Sequence, residues 1–117
     1  MVQCLFWPCH MTRGSVWWVE FDPAVGSEIR KTRPAVIVSN DTANKYLARV
    51  VVVPLTSNVS RVYPGEAVIT VDGNKDKAMT DQIMSADKSR LKKKIGELSE
   101  SDMISLETAM KIFLNFI

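Results

Sequence analysis

Beyond His10 the sequence contains neither cysteine nor histidine: Cys4, Cys9 and His10 are the complete set. From Met11 onward this excludes a Cys/His zinc site, a Cys–His nucleophile pair and a Ser–His–Asp triad. Cys4, Cys9 and His10 crowd into seven residues around Pro8, which matches no metal-ligand spacing, so neither a metal nor a cofactor is expected. No apolar run approaches the ~18 residues that cross a bilayer, so no membrane role is expected. Charge of one sign is missing too. Fifteen basic residues stand against 13 acidic ones, for a net +2, so a case for nucleic acid must rest on local clusters. Residues 1–10 lack the basic start and small-residue cleavage site of a signal peptide. They read as a poorly ordered N-terminal extension ahead of a single domain spanning 11–117, and the default compartment is cytoplasmic.

What is present suits one small globular domain: 117 residues, 46% hydrophobic and 24% charged. Gly14 to Phe21 is rich in aromatic and β-branched residues and predicts a strand. Asp22 to Thr32 is polar and predicts a long loop, the kind that often carries function. Pro34–Ser39 and Arg49–Leu55 predict two further strands, the latter apolar on both faces and hence central. Asn40 to Lys45 predicts a loop or short helical turn. Glu66–Val71 predicts a fourth strand, closed by Asp72-Gly73-Asn74, and Asp81–Ser85 and Lys94-Ile95 are short strand candidates. Ser99 with Asp102 resembles a capping box. Behind it Met103, Leu106, Met110, Phe113, Leu114 and Ile117 repeat at three- and four-residue spacing, one apolar helix face for the core or a dimer seam. The fold class is therefore mainly β with a C-terminal helix: a small antiparallel β-barrel or curled sheet.

Pro34 holds Arg33 extended where the polar loop becomes a strand, and Pro54 lies just before Thr56. If the second and third strands form a hairpin centred between Asn44 and Lys45, paired residue numbers sum to 89 and Arg33 opposes Thr56. That would put a guanidinium beside a hydroxyl at one end of the sheet. A strand-end arginine and a packing threonine account equally well for the residue types alone. Lys88 to Lys94 carries five positive charges in seven residues, either a solvated face or a phosphate-binding stripe.

Arg13 to Glu28, Thr32 to Asn40, Val53 to Ser57, and Asp81-Gln82-Ile83 with Asp87 to Leu91 together resemble the MazF/PemK family of toxin endoribonucleases, from about Arg13 to the C-terminus. The resemblance implies an SH3-like small antiparallel β-barrel of the MazF/PemK/CcdB type with a C-terminal helix, acting as a homodimer. It implies metal-independent cleavage of single-stranded RNA, mRNA foremost, at a short sequence motif, and a cognate antitoxin that occupies the RNA groove. The family's catalytic arginine and threonine fall on Arg33 and Thr56. Ser27, Glu28 and Thr32 match substrate-contacting loop positions, and Asp81 and Gln82 match a base-contacting pair.

The chemistry of these residue types agrees. RNA supplies its own nucleophile, the 2′-hydroxyl, so positioning and charge stabilisation suffice for cleavage to a 2′,3′-cyclic phosphate and a 5′-hydroxyl. An always-charged guanidinium suits a phosphorane, and a threonine hydroxyl can bond a phosphate oxygen. With no histidine available, Glu28 is the leading carboxylate for the 2′-hydroxyl proton and Glu20 the second. Ile29, Arg30-Lys31 and Met84 depart from the family's usual residues and bear on base preference rather than on the catalytic pair. Two rivals need no such pair: a CcdB-type gyrase poison, which acts through its C-terminal residues, and a non-catalytic barrel module, which would keep its binding in Arg33→Ala.

Overall fold

The computed structural model describes residues 11–21 and 31–116. The extension expected at residues 1–10 lies outside them, as do Ser27 and Glu28, which were expected to contact substrate, and Ile117.

Seven strands alternate with two helices and two 3-10 turns. They are β1 (Ser15–Phe21), β2 (Lys31–Ile37), α1 (Asp41–Tyr46), β3 (Arg49–Thr56), β4 (Ala67–Val71), β5 (Asn74–Ala78), β6 (Met84–Asp87), β7 (Leu91–Glu97) and α2 (Glu100–Leu114), with the turns at Thr80–Gln82 and Lys88–Arg90. All pairings are antiparallel, in the order β4-β5-β3-β2-β1-β7, and the sheet curls into half a barrel.

Central β3 spends one edge on β2 and divides the other. Arg49 to Val52 pairs with β6, whereas Leu55 and Thr56 pair with β5. Pro54 stands at the changeover: it cannot donate to a ladder, and its carbonyl accepts from Met79 at 2.9 Å instead. The apolar runs of β1–β3 are explained by cores on both faces of the sheet. Val16, Val36, Val53 and Leu55 pack with β4 and with Leu106 and Ala109 of α2. Trp17, Val19, Ala35, Ile37, Val50 and Val52 pack with Ala86 and Leu91 on the other face.

The helix cap forms as the sequence suggests, with Ser99 Oγ accepting from the Asp102 amide at 3.1 Å. The Asp102 carboxylate turns to the sheet and accepts from the edge amide of Thr70 at 2.9 Å. One carboxylate thus anchors the helix start and blunts an exposed strand edge. On the apolar helix face Leu106 is buried and Met103 and Met110 pack on the core, while Phe113 and Leu114 remain largely exposed.

Three sequence expectations are revised. The short strand expected over Asp81–Ser85 starts only at Met84, because Thr80–Gln82 turns as a 3-10 helix whose Thr80 carbonyl accepts from the Ile83 amide. Strand β2 begins at Lys31, inside the stretch expected to be loop, because β1 reaches to Phe21 and pairs with it. Strand β5, Asn-Lys-Asp-Lys-Ala, was not foreseen: four polar residues hide the alternation that marks a strand. It forms because Asp72 and Gly73 both take positive φ, 50° and 80°, the geometry of a tight hairpin turn that folds the chain back on β4.

Candidate functional site

The assumed hairpin register holds. Ala35 pairs with Pro54, Val36 with Val53 and Ile37 with Val52, each pair summing to 89. Carried two residues further, this register sets Arg33 against Thr56. The paired ladder stops at Ala35 and Pro54, as expected where Pro34 and Pro54 offer no backbone donor. Beyond that point an open cleft of about 800 Å³ lies at the strand ends, with Arg33, Pro34, Thr56 and Ser57 on its walls. Trp18, paired with Pro34 across β1 and β2, contributes a ring that is 40% exposed.

The end of the β4–β5 hairpin, where β5 runs beside β3 and Lys77 pairs with Thr56, adds Asp72, Asn74, Lys75 and Asp76 to the lining. Arg33 and Lys75 thus bring positive charge to the cleft and Asp72 and Asp76 negative charge. Asp76 opposes buried Ile69 across the hairpin. Burial pushes its carboxyl above the ordinary aspartate value, because the charged form loses hydration there. Thr56 Oγ1 accepts from the Asn58 amide at 3.3 Å, which orients the hydroxyl and leaves its proton to donate elsewhere. Among the described residues Arg33 has no hydrogen-bond or ion-pair partner.

The other sequence candidates are placed differently. Thr32 is exposed on β2 opposite Glu20. Asp81 and Gln82 are exposed on the Thr80–Gln82 turn and do not line the Arg33–Thr56 cleft; Gln82 Nε2 contacts Met79 Sδ at 3.6 Å. Glu20, the second carboxylate considered for the 2′-hydroxyl, lines a separate groove with Arg49, Arg90 and Lys92. The basic run is therefore split, since only part of it borders that groove. At the groove's margin Asp87 accepts from the Ser89 amide at 2.9 Å, and this bond, with the Ser89 hydroxyl and then Arg49 and Arg90, holds its carboxyl below the ordinary value.

Trp18, Lys75 and Asp76 are cleft residues that sequence reasoning missed. The available signal was Asp72-Gly73, which predicts a hairpin returning over β4. The placement of its tip beside Arg33 is a tertiary event. Among the described residues no group of three or more His, Cys, Asp or Glu is arranged to hold a metal, and no helix is long and apolar enough to cross a membrane.

Comparison with known proteins gives a consistent picture. Residues 12–114 match the family model described as PemK-like, MazF-like toxin of type II toxin-antitoxin system. The chain is 41% identical over 114 residues to Endoribonuclease MazF9 of Mycobacterium tuberculosis, covering 90% of this chain and 97% of that one. It is 39% identical over 107 residues to Endoribonuclease MazF of Staphylococcus epidermidis, covering 87% and 89%. Among solved structures, a mycobacterial endoribonuclease in complex with its cognate antitoxin superposes with a TM-score of 0.77 at 25% identity, covering 91% of this chain and 96% of that one.

Proposed function

This chain belongs to the PemK-like, MazF-like toxin family of type II toxin–antitoxin systems, and from that premise we propose that it is an endoribonuclease cleaving single-stranded RNA at the Arg33–Thr56 cleft. The carrying observation is the register that brings these two residues to one open cleft at the ends of β2 and β3.

The reaction is an internal transesterification. The 2′-oxygen attacks the adjacent phosphorus, the O2′–P bond forms and the P–O5′ bond breaks, leaving a 2′,3′-cyclic phosphate and a 5′-hydroxyl. The negative charge that gathers on the equatorial phosphorane oxygens is met by the Arg33 guanidinium, whose fork of donors fits two of them. The Thr56 hydroxyl donates to a phosphate oxygen and fixes the phosphorus between the strand ends. Glu28 takes the 2′-hydroxyl proton, with Ser27, Thr32, Asp81 and Gln82 contacting the RNA. A partly exposed Trp18 beside Pro34 suits stacking of an unpaired base. No metal enters these steps, since the nucleophile is internal and the charge is met by a guanidinium.

The antitoxin-bound mycobacterial endoribonuclease supports a cognate antitoxin as the partner that neutralises the enzyme. In this reading the enzyme acts as a homodimer in the cytoplasm on mRNA. The exposed Ile112, Phe113, Leu114 and Phe116 at the end of α2 give such a dimer an apolar surface.

The test is incubation of purified, antitoxin-free protein with a long unstructured RNA in EDTA, followed by mapping of the new ends. Discrete cuts bearing 5′-hydroxyls, lost in Arg33→Ala and Thr56→Ala, are expected. Intact RNA with folded protein refutes the reading, as does cleavage abolished by EDTA in respect of the metal-free steps.

A further inference from the structure

The reaction needs a proton at both ends of its path, and the cleft contains a carboxylate that the sequence comparison of site residues leaves without a task. Asp76 lines the same cleft as Arg33 and Thr56, on β5 next to Lys77, the residue paired with Thr56. It is partly buried on β5, opposed to fully buried Ile69. No hydrogen bond or ion pair to Asp76 is formed among the described residues. Structural carboxylates are usually bonded: in this chain Asp102 holds an edge amide, Asp87 caps a turn, and Asp41 accepts from the Arg13 amide. A partly desolvated aspartate that lines a cleft and whose carboxylate has no partner among the described residues is a candidate for chemistry.

We propose that Asp76 is the proton donor to the departing 5′-oxygen. This rests on the endoribonuclease reading above. As the P–O5′ bond breaks, the electron pair goes to O5′ and the proton passes from the Asp76 carboxyl to that oxygen. The 5′-hydroxyl leaves, and the Asp76 carboxylate regains its proton from water. The Glu28 carboxylate receives the 2′-hydroxyl proton at the other end, so the two protons balance.

The environment favours the acid role over the base role. Burial holds Asp76 toward its protonated form in the free protein. A phosphodiester entering the cleft adds a negative charge and displaces water, and both changes favour that form further. Among the described residues the charged groups that line the cleft with Asp76 are Arg33 from β2, Lys75 next to Asp76 on β5, and Asp72 in the hairpin turn; β1, β3 and β7 contribute uncharged Trp18, Leu55, Thr56 and Ile95, with Ser57 just beyond β3. A carboxyl held toward its neutral form by its surroundings is suited to donate a proton rather than to take one.

The deciding experiment uses the full chain and two matched substrates. A cleavage site is first mapped on long RNA, then built into oligonucleotides with one ribonucleotide at the cut. One carries the ordinary linkage, and the other carries sulfur in place of the bridging 5′-oxygen. A thiolate leaves without protonation, so it needs no donor. Asp76→Asn is expected to lose roughly 100-fold in kcat on the oxygen substrate and less than about threefold on the sulfur substrate, within the range of general acid catalysis. Its kcat on the oxygen substrate should also lose the fall with rising pH that ionisation of Asp76 is expected to give wild type. Arg33→Ala should lose activity on both substrates. Asp76→Glu, which keeps the carboxyl, should retain the pH limb on the oxygen substrate and serves if the asparagine variant fails to fold.

An Asp76→Asn protein that is folded and fully active on the oxygen substrate overturns the assignment. So does an equal loss on both substrates, which would mean a positioning role. Wild-type protein that cuts neither substrate overturns the endoribonuclease reading, and this proposal with it. Wild-type cleavage lost in Arg33→Ala but kept in Asp76→Asn overturns only the proton donor.

Discussion

Two arginines at opposite ends of the same sheet should separate catalysis from stability. Arg33 lines the cleft and has no bonded partner among the described residues. Its removal costs the fold nothing beyond a partly exposed side chain, so Arg33→Ala should stay within about 0.5 kcal/mol of wild type in urea unfolding. Its effect on cleavage should be large. Losing one preorganised donor to a developing oxyanion costs about 10²–10³ in kcat, and a guanidinium offers two such donors plus a full charge, so a loss of about 10³–10⁴ is expected. Arg13 is the control. Its Nε donates to the Val38 carbonyl at 3.0 Å and its Nη2 meets Glu107 of α2 at 2.8 Å. The hydrogen bond of a charged donor contributes about 1.5 kcal/mol, and the ion pair, one-third exposed on the Arg13 side, a few tenths. Arg13→Ala should therefore lose about 1–2 kcal/mol of stability and leave kcat of the folded protein unchanged. The assay is a pair of urea titrations beside single-turnover cleavage of one mapped RNA site. Cleavage by Arg33→Ala within tenfold of wild type would refute the charge-stabilisation account. Equal destabilisation by both substitutions would refute the claim that Arg33 is structurally idle.

Replacing the ribose at the mapped site by 2′-deoxyribose should abolish cleavage there and leave binding within a few-fold; a cut deoxy substrate would exclude the internal nucleophile. Leu106→Ala removes a fully buried side chain that joins α2 to the sheet, and should cost about 3–5 kcal/mol, seen as a lower urea midpoint. Asp76 titrates above its ordinary value in the folded chain. The native state therefore holds more protons than the unfolded state between the two values, and stability falls as pH rises from near 3.8 through the folded value. Asp76→Asn should remove that slope from stability measured against pH; an unchanged slope would mean the carboxyl is not desolvated in solution. Asp87 has the opposite sign: its stabilising contribution is present above the ordinary aspartate value and is lost as pH falls through the lowered one, so Asp87→Asn should flatten the acid side of the curve.

Much of the fold was legible because its signals are local. β-branched and aromatic runs place β1 to β4 with end errors of one to three residues. Ser99 and Asp102 mark the start of α2 because a cap is written in four consecutive residues. The β2–β3 register also followed from the sequence as far as Ala35 and Pro54, since a hairpin's centre sets every pair along it and a slip by one would have turned the cores of β2 and β3 to the wrong faces. What the chain alone could not decide depends on contacts between distant segments. Strand β5 is polar by composition and exists because β4 and the end of β3 offer it edges. Glu20 and Asp76 are both acidic residues in strands, yet one borders the basic groove of β6 and β7 and the other the Arg33 cleft. Residue type determines what charge each can carry. Only the pairing of the hairpin's β5 with β3 determines which carboxyl is partly desolvated in the cleft of the candidate catalytic pair, because desolvation is a property of the surroundings and not of the residue.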